Sequence, residues 1–145
     1  MSSAPYMLPG ARFGLRMGDA QALDAMIKDG LTNPFSGKHM AQEASEVAAE
    51  LEMTRADMDR WSVRSHQLAI GAIDDRRMAE EIVPVVVKDR KREIVVEDDE
   101  SPRRDTTLEA LARLRPIFTT VGTHTAGNAP GVNDGACAIV FASDV

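Results

Sequence analysis

The sequence predicts an α/β fold, mainly helical in its first two thirds, and three observations carry that reading. Ala44, Val47, Ala48 and Leu51, and then Met58, Trp61, Leu68, Ala69, Ala72 and Ile73, recur at the spacing of buried helix faces. Two β-branched runs, 82–87 and 93–97, read as strands joined in a hairpin. A glycine-spaced loop at 125–136 runs straight into Ala138-Ile139-Val140-Phe141, a strand apolar on both faces like the centre of a covered sheet. Nothing in the chain offers that last strand a parallel partner. The sequence therefore reads as a piece of a larger α/β protein.

Taken in order, residues 1–17 are rich in Pro and Gly and predict a loop whose Tyr6, Met7, Leu8 and Phe13 lie covered on a surface. Asp19 is a candidate cap for a short helix through Leu23, Met26 and Ile27 that Gly30 ends. Asn33-Pro34 makes a turn, and a second helix starts at Met40. Thr54-Arg55-Ala56-Asp57 has the spacing of a capping box and opens the longest helix, with Arg76-Arg77 near its C-terminal end where cations complement the dipole. Pro84 places the first strand at an edge or bulge, and residues 88–92 form a basic turn. Thr106-Thr107-Leu108-Glu109 predicts another capped helix, through Leu111 and Leu114, which must stop before Pro116.

The 145 residues suffice for a core, and 43% apolar with 28% charged residues is a globular balance. A net charge of −6 leaves no excess of cations for general nucleic-acid binding. The single cysteine, Cys137, permits no intrachain disulfide and suits a reducing compartment. With no leader-like opening and no apolar run of membrane-spanning length, the expectation is a cytoplasmic protein without nucleic-acid or membrane partners. No metal site is expected.

The loop carries the functional signal. Its glycines allow a ligand close to the main chain, and its Asn and Asp side chains can close the turn. Thr125-Ala126-Gly127-Asn128-Ala129-Pro130-Gly131-Val132-Asn133-Asp134-Gly135-Ala136 resembles the thiolase signature Thr-Ala-Gly-Asn-Ala-Ser-Gly-X-Asn-Asp-Gly-Ala. Met26-Ile27-Lys28-Asp29-Gly30-Leu31, His39-Met40, Glu80-Glu81-Ile82-Val83-Pro84, and Thr107-Leu108-Glu109 with Leu114-Arg115-Pro116 agree in the same order. The resemblance covers essentially the whole chain.

This resemblance implies a thiolase-like α/β fold. Residues 1–124 would be the mainly helical loop domain with its β-hairpin, and 125–145 the CoA-facing loop with one core strand of the N-terminal half. It implies part of an acyl-CoA C-acyltransferase of the acetyl-CoA acetyltransferase or 3-ketoacyl-CoA thiolase kind. Such an enzyme condenses two acyl-CoA molecules or cleaves a 3-oxoacyl-CoA, and works as a homodimer or homotetramer with CoA as substrate. The nucleophilic cysteine, the histidine and the second cysteine of that chemistry have no counterpart here, so no catalytic residue is expected in this chain.

The CoA-binding positions implied are Leu31, His39, Met40, Arg103, Leu114, Phe118, Ala126 and Gly131. Arg103 would flank the adenine nucleotide, where a guanidinium can stack and pair with phosphate. Leu114 and Phe118 would wall the pantetheine arm, although core packing explains their spacing equally well. His66 and His124 read as packed or surface histidines, and Cys137 as a buried small apolar residue. Pro130 in place of Ser, Ala41 in place of Gly and Ala110 where many members carry Ser mark a variant. Two other readings stand beside this one: a non-catalytic CoA-binding or assembly module on the same fold, and a helical adaptor, which leaves the loop unexplained.

Overall fold

The computed structural model describes residues 1–90, 92–118 and 122–143. Lys91 of the expected basic turn and the last two residues of the expected C-terminal region lie outside the described residues. The chain divides into two compact units, Met1–Glu43 with Pro130–Val145, and Ala44–Ala129.

In the first unit, β1 (Tyr6–Met7) pairs antiparallel with β2 (Leu23–Asp24), Tyr6 opposite Asp24 and Met7 opposite Leu23. Between them sits a 3-10 turn, Ala11–Phe13, entered through Gly10 at φ 82° and left through Gly14 at φ 85°. The cover expected over this opening is not found among the described residues, because a two-residue ribbon hides little; Tyr6, Leu8 and Phe13 are exposed. The helix expected from Asp19 also starts later. Pairing with β1 holds Leu23–Asp24 extended, and Asp24 Oδ1 then accepts the Met26 N–H at 2.8 Å, opening a single π-helical turn, Met26–Leu31.

The strand expected at 138–141 is absent as a ladder. Residues 131–143 carry no regular structure and are exposed, Phe141 at 88%. A strand is held by bonds to a neighbour, and no described segment supplies one here. Cys137, expected to be buried, is exposed for the same reason.

The helix α1 (Met40–Glu50) follows, with Ala48 buried, and α2 (Arg55–Asp74) comes next. The capping box before α2 is complete. Thr54 Oγ1 accepts the Asp57 N–H at 3.2 Å, and Asp57 Oδ2 accepts the Thr54 N–H at 3.0 Å. Both helices end in the same motif without glycine. Met53 N–H reaches the Ala48 carbonyl and Glu52 N–H that of Ala49, with Glu52 at φ 55°. Arg77 and Arg76 repeat the arrangement on Ala72 and Ile73, with Arg76 at φ 54°. Left-handed backbone costs an L-residue about 1–2 kcal/mol, and glycine's larger unfolded-chain entropy offsets about 0.4–1 of that, so Glu52→Gly is expected to raise stability by about 0.5–1 kcal/mol in urea unfolding. An unchanged or lower midpoint would contradict the assignment.

The hairpin follows as β3 (Val85–Asp89) and β4 (Arg92–Val96), in register from Val85–Val96 to Asp89–Arg92, with Pro84 just before the first strand. The last helix, α3 (Leu108–Ala112), is shorter than expected and starts one residue late. Thr107, not Thr106, caps it, accepting the Ala110 N–H at 3.1 Å.

Buried positions are few. Among the described residues Ala48 and Leu111 are the buried apolar ones, while Asp59, at 3% exposure, and Thr125, at 0%, are buried polar ones. Trp61 and Leu68 of α2 and the valines of β3 face outward, Trp61 with the Arg64 guanidinium 4.8 Å from its ring centre. The apolar faces read from the periodicity are present and only partly covered: Ala48 is buried, and Ala44, Met58, Ala69, Ala72 and Ile73 are half-buried.

Candidate functional site

The glycine loop is divided between the units: 125–129 belongs to the second, and Pro130 onward to the first. In the second unit the segment before the loop folds back on the end of α3. Pro116 bridges Thr125, and the Ile117 N–H donates to the His124 carbonyl at 3.0 Å. Asn128 then locks the turn. Its Oδ1 accepts the Thr125 N–H at 2.8 Å, and its Nδ2 donates to the Thr123 carbonyl at 2.9 Å and to Asp59 Oδ1 at 3.0 Å. Asn128 and Ala129 N–H both return to the Thr125 carbonyl.

Asp59 comes from the second turn of α2, and Arg55 Nε donates to its two oxygens at 2.9 and 2.8 Å. The rest of the Arg55 fork reaches the α3 end, Nη1 donating to the Leu114 carbonyl at 3.1 Å and Nη2 to that of Leu111. Both lie at the helix end, where carbonyls run short of backbone donors; that of Leu111 also accepts the Leu114 N–H at 3.0 Å. Gly127 packs tightly beneath: a Cβ there would lie 2.4 Å from Leu111 Cδ2 and 2.5 Å from Leu114 Cδ1.

Of the eight implied positions, Arg103, Leu114, Phe118 and Ala126 lie in the second unit, and Leu31, His39, Met40 and Gly131 in the first. Leu114 packs on the loop beside Ala126, and Phe118 follows the Pro116 bridge; both side chains are partly exposed. Arg103 is held through its backbone, its N–H donating to His66 Nδ1 at 3.1 Å, while its guanidinium lies 3.5 Å from Asp105. Next to it Arg104 clasps Asp74 with two bonds of 3.0 and 2.6 Å, which hold the Asp74 carboxyl below its usual range. His124 sits 3.2 Å from the Ser45 hydroxyl, and burial pushes its pKa down.

In the first unit Leu31 ends the π-helical turn, and Thr32 bridges His39. His39 serves as the cap of α1, its Nδ1 accepting the Ala41 N–H at 3.2 Å, which leaves Met40 half-exposed at the helix start. The turn before them is tied down by Glu43, which accepts from Asn33 Nδ2 at 3.0 and 2.9 Å and from the Ser36 hydroxyl. The Ser36 bond and then the Asn33 bonds lower the Glu43 pKa. A depressed carboxylate stabilises the fold above its unfolded value of 4.5 and loses that contribution as pH falls through the lower folded value. Amide exchange over 33–38 is therefore expected to quicken as pH drops below about 4.5 after correction for intrinsic rates, and Glu43→Gln should abolish the step. A step that survives Glu43→Gln would point to another group. Elsewhere in this unit Asp134 of the loop accepts from the Met1 ammonium and the Ser2 hydroxyl, and from the Ser2 N–H at 2.7 Å; these bonds hold its carboxyl well below its usual range.

The family model for the N-terminal domain of thiolase matches residues 1–145. The chain belongs to the thiolase family. It is 47% identical over 144 residues to an acetyl-CoA acetyltransferase of Pseudomonas aeruginosa, covering 99% of this chain and 37% of the relative. It is 45% identical over 142 residues to a beta-ketothiolase of Cupriavidus necator, covering 97% of this chain and 36% of that protein. The solved acetyl-CoA acetyltransferase of Syntrophomonas wolfei superposes with a TM-score of 0.83 at 44% identity, over 90% of this chain and 33% of that one. Human mitochondrial 3-ketoacyl-CoA thiolase gives 0.83 at 36% identity over the same shares, 90% and 33%. The chain thus spans a little over a third of the length of the curated relatives it matches.

These thiolase likenesses agree with the thiolase-like α/β fold read from the sequence; among the described residues the chain is a small α/β piece with two two-stranded sheets. The residues that reasoning from sequence missed are Arg55 and Asp59; the loop's Asn side chains were expected to close the turn, and Asn128 does so on the Thr125 and Thr123 backbone. The available signal for the missed residues was the Arg55/Asp59 i, i+4 pair directly behind the capping box. A cleft of about 360 Å³ between the end of α2 and the hairpin is lined by none of the eight positions. No helix is long and apolar enough to cross a membrane among the described residues.

Proposed function

We propose that this chain is the CoA-binding portion of a thiolase-type acyl-CoA C-acyltransferase, one that condenses acyl-CoA by Claisen chemistry or cleaves a 3-oxoacyl-CoA by thiolysis. Residues 1–124 are the loop-domain region, and 125–145 the CoA-facing loop with the strand that follows. Arg103 flanks the adenine nucleotide, Leu114 and Phe118 line the pantetheine arm, and Ala126 and Gly131 let the carrier approach the backbone. His39 and Met40 line the pantetheine and acyl end, and Leu31 contributes to CoA binding. The nucleophilic cysteine, its histidine and the second cysteine belong to the parts of the enzyme outside this chain. The parent enzyme is a cytoplasmic homodimer or homotetramer of fatty acid metabolism.

The observation that carries the reading is the match of the thiolase N-terminal model from residue 1 to 145, through the signature loop itself. The test is a chimera in which this chain replaces the matching segment of the Pseudomonas aeruginosa relative. Acetyl-CoA turnover by the chimera is the expected result. A chimera that melts like the relative yet neither binds CoA nor turns over acetyl-CoA would sink the proposal. Turnover lost with CoA binding kept would favour the non-catalytic module.

A further inference from the structure

We propose that Asp59 and Arg55 are positioning residues for acyl-CoA, fixing the Thr125–Asn128 turn against Leu114 without touching the ligand; this rests on the CoA reading above. A carboxylate at 3% exposure has given up its water, and a buried ion pair seldom repays that cost in stability alone. Its best-attested return is register, the selection of one arrangement among several. Here both carboxylate oxygens face the Arg55 fork, and one also receives Asn128 Nδ2. Three segments remote in sequence are joined at one point: the start of α2, the end of α3, and the loop 69 residues beyond Asp59.

What the junction fixes is the gap between Leu114 and the loop. Arg55 holds the Leu111 and Leu114 carbonyls while Asp59 holds Asn128, so wall and loop are set from one helix turn. The packing leaves no slack, since Gly127 already meets the tips of Leu111 and Leu114. A loop released from Asp59 samples other positions, and the ligand then sees only the competent fraction.

A reciprocal exchange tests this in the full 145-residue chain. Asn128→Asp sets two carboxylates face to face, and Asp59→Asn removes the acceptor matched to Asn128. The double variant restores a donor facing an acceptor at this contact, because Asn at 59 can accept from Arg55 and donate to Asp at 128, while the bond from Asn128 to the Thr123 carbonyl stays lost. If the competent fraction falls to about one tenth, CoA binding by titration calorimetry weakens ~10-fold, and the amides of Asn128 and Ala129 lose nearly all their protection, since they are then open most of the time. The double variant should bind CoA at least ~3-fold more tightly than Asn128→Asp alone and regain loop protection, the lost Thr123 bond accounting for the remainder.

Loss of protection spread equally to the β3–β4 hairpin, or no recovery in the double variant, would overturn the proposal in favour of a merely structural pair. Single variants that change neither readout would overturn it as well. Should the unaltered chain bind no CoA while the loop amides respond as expected, the CoA part fails and the loop-fixing part stands.

Discussion

Replacing Arg55 by methionine is expected to be the most damaging single change in the second unit. The substitution keeps helix propensity and most of the side-chain length, so the loss isolates the guanidinium. Asp59 would stay buried with its Asn128 bond but without its cation, and the Leu111 and Leu114 carbonyls would each lose the bond from Arg55. Breaking a buried ion pair from one side costs about 3–5 kcal/mol, and the low end applies because Arg55 is itself 24% exposed. Urea unfolding followed by far-UV circular dichroism measures it. Arg60→Met is the control, since Arg60 pairs with Asp57 in solvent and should change little. Equal effects from the two variants would show that the buried pair has no special weight.

Adding one methyl group at Gly127 is the second large expectation. Gly127 is not among the positive-φ glycines, so alanine meets no backbone strain, and the smaller entropy of the unfolded chain favours it by about 0.4–1 kcal/mol. Against this stands the contact at 2.4 Å with Leu111 and 2.5 Å with Leu114. Leu111 is buried and has nowhere to go, whereas Leu114, 37% exposed, can swing outward. Overpacking of this kind costs about 1–3 kcal/mol, so the unfavourable term wins. Gly127→Ala should lower the unfolding midpoint and shift the Leu114 methyl resonances more than those of Leu111. A midpoint at or above the original would mean that Leu114 yields without cost.

The sequence carried the local features well and the distant ones poorly. The box at Thr54 was legible because both partners lie within four residues, and the hairpin because its valines declare themselves. The start of α3 slipped by one residue since Thr106 and Thr107 compete for the same role, and the backbone chose the one in reach of Ala110. Asp59 was invisible to periodicity: an acidic residue behind a cap reads as solvated, and its burial depends on Asn128, 69 residues away. The apolar strand at 138–141 illustrates the reverse. Its composition is that of a sheet centre, but pairing needs a neighbour that the described residues do not provide. The candidate site follows the same rule. The loop motif was legible as a string, while the clasp beneath it was not.

The clasp also sets an order of events during folding. Arg55 and Asp59 stand four residues apart and meet as soon as the capped first turns of α2 close, an event of microseconds or less. Asn128 must return across 69 residues, a closure costing roughly 2 kcal/mol more in chain entropy than a ten-residue turn. The anchor therefore exists before its cargo arrives. Asn128→Ala should accordingly speed unfolding and leave the folding rate nearly unchanged, as stopped-flow chevrons can decide. A slowed folding limb would place the loop in the nucleus instead.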